Sequence, residues 1–422
     1  MSWRKYTKPQ YRDIVWDLSQ SPYKPLATSR WPERPPPTGL AIRRIRREFR
    51  YYSSFTDREL RGVISHGVPD VTNCAKVTMI CAPHKGALLH FDEWLEQVQK
   101  DRDSGWSAHS FPEWLATWPC RVNPSGVVEQ RGKFRRTDDL SWPHPGAVEG
   151  VDSVNAASEF PTIEFASVAA LGLAAAIMKL SGRVVKVMLV DLKSAYKLTG
   201  QQTRTLGYRQ FLTPEGPQRN DRVCFGQADG PQIFSRQSGM MVFIIRQECA
   251  YAARCYPTRD PYILAWVAAR EGADVAAPLA FCSCFIDDFS ACSFDDPLWR
   301  CDGTPVLDTD GSHRGRAQLT FDIIMSVVTR FGHSSEPNKM KLPCLRLLVL
   351  GVIVDTVAET LELDPEKRRR YKAELEAMIQ KRAASFSRLR SMAFKLMVVC
   401  ECSPNCRPWL DSSFAALRHG FD

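Results

Sequence analysis

The sequence predicts an α+β fold, a small antiparallel sheet with carboxylates at its strand ends and helices packed around it. Three observations predict it. Residues 281–294 are two apolar, aromatic-rich runs joined at Asp287-Asp288 with no glycine or proline between them, which reads as a hairpin with two acids at its tip. Residues 183–190 form a β-branched strand that ends on Asp191, behind an apolar, alanine-rich stretch at 163–180. Helical periodicity then recurs over 232–251, 320–331 and from Asp364 onward.

In chain order, residues 1–125 carry the fewest signals. Trp31-Pro-Glu-Arg-Pro-Pro-Pro-Thr-Gly39 is a proline-rich break that favours extended backbone. Arg43-Arg-Ile-Arg-Arg47 follows, leading into Phe49, Tyr51 and Tyr52. That run suits either a phosphate backbone with bases or a solvated helix face. Trp94, Trp106, Trp114 and Trp118 imply a packed, helical piece. Residues 133–141 read as a short strand and turn, and 163–180 as a buried helix, since Glu164 and Lys179 leave too short an apolar core to span a bilayer. The strand at 183–190 places Asp191 at its C-terminal end, where working sites of layered α/β structures often lie.

Residues 226–231 form a glycine-rich turn before the helix at 232–251, and a shorter helix is expected around 263–270. Residues 295–316 are polar and glycine-rich and read as an exposed loop, and 345–354 as one apolar strand. Asp364-Pro365-Glu366 is a helix start, with proline in the first turn and acids against the helix dipole. A further helix over 387–400 ends before Pro404. Cys400, Cys402 and Cys406 lack a second ligand pair at finger spacing, so helix-end packing is preferred to a zinc site.

The chain has 422 residues, 44% of them apolar, enough for two or three packed regions. A formal charge of +9 leans towards polyanions without excluding other partners. The 14 cysteines have no framework spacing and no secretory apolar segment follows the N-terminus, so an intracellular, thiol-reduced protein is expected. No membrane segment and no internal repeat is read.

Alone, Asp287-Asp288 would be a polar turn. If its hairpin pairs with the strand ending at Asp191, three carboxylates converge. Hard oxygen donors on a sheet with no histidine nearby in sequence suit magnesium over zinc. Two such ions can clamp the attacking and leaving oxygens of an in-line phosphoryl transfer.

With these residues in place, the sequence resembles the reverse transcriptases of retroelements from Lys133 to Leu417. Asp191-Leu-Lys-Ser-Ala-Tyr196 is similar to the first palm motif. Phe225-Gly226 with Pro231-Gln-Ile-Phe234 resembles the second, and Phe285-Ile-Asp-Asp288 the aromatic-x-Asp-Asp box. Phe331-Gly332 through Lys339 is similar to the fourth motif, and Leu350-Gly351 to the primer-grip region. Lys133-x-Arg135-x-x-Asp138-Asp139 and Ser153-Val-Asn155 resemble the fingers pattern. With Ser391-Met-Ala-Phe-Lys395-Leu396 and Arg407-Pro408-Trp409-Leu410, the pattern is most similar to the tyrosine-recombinase (DIRS-like) class. The chain departs from that pattern at Phe285 (commonly tyrosine), Cys224 (commonly proline) and Met392-Ala393-Phe394 (where a glycine is expected).

The resemblance implies a right-hand polymerase: an N-terminal extension at 1–125, fingers and palm at 126–355, and a helical thumb or connection at 356–422. It implies that Asp191, Asp287 and Asp288 hold two Mg2+ ions (or Mn2+), with the Leu192 carbonyl as a further ligand. Lys133 and Arg135 would meet the triphosphate of a dNTP, and Tyr196 would exclude a 2′-hydroxyl. Phe225 and Gly226 would lie by the template and nucleotide, and Lys339 or Lys341 would protonate pyrophosphate. The partners implied are an RNA or DNA template with its primer. Alternatives are an inactive, nucleic-acid-binding descendant or an RNA-dependent RNA polymerase, against which Tyr196 and Ile286 speak. No ribonuclease H, integrase or recombinase pattern is read.

Overall fold

The computed structural model describes residues 13–17, 60, 63–64, 68, 77–109, 120–130, 132–158, 166–269 and 279–419. The proline-rich break, the basic–aromatic run, Trp114 and Trp118 lie outside them. In order come β1 (Asp13–Asp17), β2 (Val77–Cys81), α1 (Lys85–Leu89), α2 (Phe91–Asp103), β3 (Ser107–His109), β4 (Arg121–Asn123), β5 (Ser125–Gln130) and β6 (Lys133–Asp138). Then follow α3 (Val168–Lys179), β7 (Val185–Asp191), β8 (Gln210–Thr213), β9 (Gly216–Asn220), α4 (Gly230–Cys255), α5 (Pro261–Ala268), β10 (Ala280–Phe285) and β11 (Asp288–Phe294). Last are α6 (Arg316–Arg330), β12 (Lys341–Cys344), β13 (Arg346–Val349), β14 (Val352–Asp355), β15 (Thr360–Leu363), α7 (Pro365–Lys381), α8 (Phe386–Cys402) and α9 (Arg407–His419). The protein is α+β, and among the described residues no helix is long and apolar enough to cross a membrane.

The chain divides into two compact units, each made of three separate stretches. The first comprises residues 1–163, 193–238 and 329–334. Its six-stranded sheet runs β1-β2-β4-β8-β9-β3, parallel at β2–β4 and β4–β8 and antiparallel elsewhere. The strand expected at 133–141 is β6, paired with β5 as a hairpin. Trp94 of α2 is fully buried with Ala87, Val98, Val127 and Phe211, the helical packing expected of it.

The second unit comprises residues 164–192, 239–328 and 335–422. Its four-stranded sheet runs β10-β11-β7-β12, every pair antiparallel. Ser167 caps α3, its hydroxyl accepting from the Ala170 N–H at 3.2 Å, and Val168, Leu171, Ala175 and Met178 of α3 pack with Val185 and Val187 of β7. β10 is the outer strand of this sheet among the described residues, and Arg246 donates from Nε (3.1 Å) and Nη2 (2.7 Å) to the Cys282 carbonyl. Asp364 caps α7 through the Lys367 N–H with Pro365 in the first turn, as its sequence predicts.

Two local expectations change. Residues 345–354 are not one strand but two, β13 and β14. The chain reverses at Leu350-Gly351, where both φ angles are positive (52° and 86°), the requirement of a tight hairpin turn. Lys367 Nζ donates to the Leu350 carbonyl at 3.1 Å and so holds the turn. Residues 295–316 are largely exposed, as expected, but are not a plain loop. They fold back through short pairings at Pro297–Gly315, Trp299–Pro305 and Leu307–His313, and the buried Arg316 closes on Asp296 at 2.7 and 2.9 Å.

Candidate active site

The site in the second unit grows from strand register. β7 and β11 are antiparallel with Asp288 opposite Asp191 and Phe289 opposite Val190, so two carboxylates fall side by side at one end of the sheet. β10 and β11 close as a hairpin at Phe285–Asp288, leaving Ile286 and Asp287 as the turn. Ile286 has φ of 59°, a left-handed conformation that costs a β-branched residue about 1–3 kcal/mol and marks candidate functional turns. The Leu192 N–H donates to the Asp287 carbonyl at 3.1 Å, which ties the turn to the residue after Asp191. Backbone pairing thus sets Asp191 and Asp288 side by side, with Asp287 in the adjoining turn.

Asp288 carries the electrostatic cost of that convergence. Its carboxyl is pushed up to about 7, first by burial, then by a hydrogen bond with Asp191 and the charges of Asp287 and Asp191, while Lys339 pulls the other way. Lys339 donates to both oxygens of Asp191, at 3.0 and 2.8 Å, and Asp191 holds its ammonium above the usual lysine range. Lys341 lies exposed on β12, so Lys339 is the lysine that reaches the acids. As they stand, no three Asp, Glu, His or Cys side chains among the described residues are grouped to hold a metal ion. The donor chemistry still fits a hard divalent cation, because crowded carboxylate oxygens have a repulsion that such an ion relieves.

The remaining sequence-derived residues lie in the first unit. Lys133 and Arg135 stand exposed on one face of β6. Tyr196 sits in a short helical turn (Ala195–Leu198), its ring edge-on to Phe225 at 5.8 Å and tilted against Phe234 at 5.7 Å. Gly226 has φ of 105°, and a Cβ there would lie 1.9 Å from the Asp138 carbonyl oxygen, so no side chain fits. The Asp138 N–H donates to the Phe225 carbonyl at 3.0 Å.

Asn155, legible in the sequence only through the family pattern, pins this turn. Its Nδ2 donates to the Gly226 carbonyl at 2.8 Å and its Oδ1 accepts from the Ala228 N–H at 3.0 Å. Cys224, the departure beside the turn, is a core residue whose thiol burial pushes up to about 12, which leaves it inert. Cys400 is buried in α8, with Cys402 at the helix end and Cys406 just beyond it.

No family model matches the chain, and no curated protein matches it. Among solved structures it is similar to foamy viral protease–reverse transcriptases. The dRH form in complex with double-stranded DNA has a TM-score of 0.48 at 11% identity, over 85% of this chain and 53% of that one. The enzyme in complex with an RNA/DNA hybrid has a TM-score of 0.47 at 10% identity, over 85% of this chain and 37% of that one. The chain spans about half the length of the first of these.

Proposed function

We propose that this chain is the reverse transcriptase of a retroelement of the tyrosine-recombinase (DIRS-like) class, an RNA-directed DNA polymerase acting on a primed RNA or DNA template. The observation that carries the reading is the register of Asp288 opposite Asp191 with Asp287 in the adjoining turn. Asp191, Asp287 and Asp288 hold the divalent cations, Mg2+ with Mn2+ as a substitute. When bound, such ions stabilise the charge that develops on an attacking 3′-hydroxyl and a departing pyrophosphate. Lys133 and Arg135 bind the triphosphate, where a guanidinium can engage two oxygens at once. The Tyr196 ring, held by Phe225 and Phe234, excludes a ribose 2′-hydroxyl and so selects dNTPs. Phe225-Gly226 supports template and nucleotide, and Lys339 carries the proton that pyrophosphate takes on leaving.

Primer extension with Mg2+ tests the reading. Asp191→Asn and Asp287→Asn are expected to abolish extension while melting temperature and primer–template binding stay near those of the unaltered chain. Extension that survives either change overturns it. The ion pair between Lys339 and Asp191 favours a second reading, a nucleic-acid-binding descendant without chemistry. Primer–template binding with no incorporation in Mg2+ or Mn2+ would select it.

A further inference from the structure

β6 alternates in a way that exposes a cost. Lys133 and Arg135 point to solvent, while Arg136 and Asp138, on the other face, are buried at 6% and 2% exposure. A buried guanidinium needs partners, and Arg136 Nη2 finds three: Asn220 Oδ1 at 2.7 Å, Asp101 Oδ2 at 3.0 Å and Asp138 Oδ2 at 3.2 Å. Its guanidinium also lies over the Phe211 ring at 4.0 Å. Asp101, on α2, accepts at the same Oδ2 from a second buried cation, Lys197 Nζ, at 3.0 Å. Asn220 Nδ2 completes the set by donating to Asp138 Oδ2 at 3.0 Å.

Two cations and two anions are thus sealed inside one compact unit, and Arg136 Nη1 and Asp138 Oδ1 are left without hydrogen bonds. Well-packed apolar side chains would stabilise such a place as well or better, so stability does not account for the network. Its placement does. Arg136 is the residue after Arg135, and Lys197 is the residue after Tyr196. A single buried carboxylate therefore receives one cation from the element that presents Lys133 and Arg135 and one from the turn that presents Tyr196.

We infer that Asp101, with Arg136 and Lys197, is a positioning device that sets the Tyr196 turn against the triphosphate-binding face of β6, and so sets discrimination between deoxy- and ribonucleotides. This rests on the polymerase reading above. Asp101 and Lys197 touch no nucleotide; they act through their neighbours. An oxygen shared by two cations fixes both within hydrogen-bond tolerance, and losing one lets its turn drift while the other element stays anchored.

The test uses the full chain with primer–template and Mg2+, comparing dNTP with rNTP incorporation and recording KM and kcat separately. Lys197→Met, which leaves the Arg136–Asp101 pair intact, is expected to raise KM for dNTP and lower the dNTP preference about tenfold, the scale of a small misplacement of a binding group. Lys197→Arg should restore the preference, and Tyr196→Ala should abolish it. Asp101→Asn should lower the preference and also weaken triphosphate binding; if it does not fold, Lys197→Met carries the test. A Lys197→Met protein with unaltered melting temperature and wild-type preference overturns the inference while leaving the polymerase reading standing. A folded wild-type chain that incorporates neither nucleotide overturns both.

Discussion

His333 follows Phe331-Gly332 and is 4% exposed, with neither ring nitrogen hydrogen-bonded and its ring edge-on to Phe234 at 5.6 Å. Burial alone drives its pKa from 6.5 down to about 4. The unfolded chain therefore takes up a proton near pH 6.5 that the folded chain refuses until about pH 4. The stability linked to this group is whole above pH 6.5 and is lost as the pH falls towards 4, about 3 kcal/mol across the window. Replacing His333 with Phe keeps a ring against Phe234 and removes the titration. The melting temperature of His333→Phe should fall less steeply between pH 6.5 and 4 than that of the unaltered chain, and equal slopes would refute this account.

At the scale of elements, two helical glycines separate packing from propensity. A Cβ on Gly172 of α3 would lie 2.7 Å from Leu361 Cδ2 on β15, whereas one on Gly239 of α4 would meet nothing within 4 Å. Gly172→Ala adds an overpacking cost of about 1–3 kcal/mol that outweighs a helix gain of about 0.5–1 kcal/mol. Gly239→Ala keeps only the gain. Urea unfolding should move the two midpoints in opposite directions, and a stabilised Gly172→Ala would refute the packing argument.

Elements like these were largely legible because their signals are local. The strand ending at Asp191, the hairpin around Asp287-Asp288 and the Asp364-Pro365 helix start need only neighbouring residues. Pairings made across the chain were not legible. Nothing local sets Asp288 opposite Asp191 or sends Lys339 to it rather than Lys341. The turn at Leu350-Gly351 hid inside an apolar run because leucine rarely takes a positive φ. On β6 both faces carry charge, so the period-two rule that separates buried from exposed had nothing to separate.

Across the whole molecule the two units are interleaved along the chain, which limits how it can be cut. β3 pairs with β9, and β4 pairs with β8, yet β8 and β9 come from the stretch 193–238. A fragment of residues 1–163 loses those strands, and with them Asn220 and Lys197, so the Arg136–Asp101 pair keeps its own contact but loses two of its buried partners. Such a fragment should lack the cooperative thermal transition by circular dichroism that the full chain is expected to show. A sharp transition in the fragment would show that the first stretch folds by itself.

The Arg246 fork on the Cys282 carbonyl bears on the company this protein keeps with its own copies. An outer strand offers a row of unsatisfied backbone groups to any other strand that drifts by, and β10 is the strand that leads into the acidic turn. By occupying one of those carbonyls and laying its guanidinium over Phe281 at 5.3 Å, Arg246 turns an adhesive margin into a charged one. The same side chain thus acts as a guard against sheet-to-sheet clumping along the strand that leads into the acidic turn.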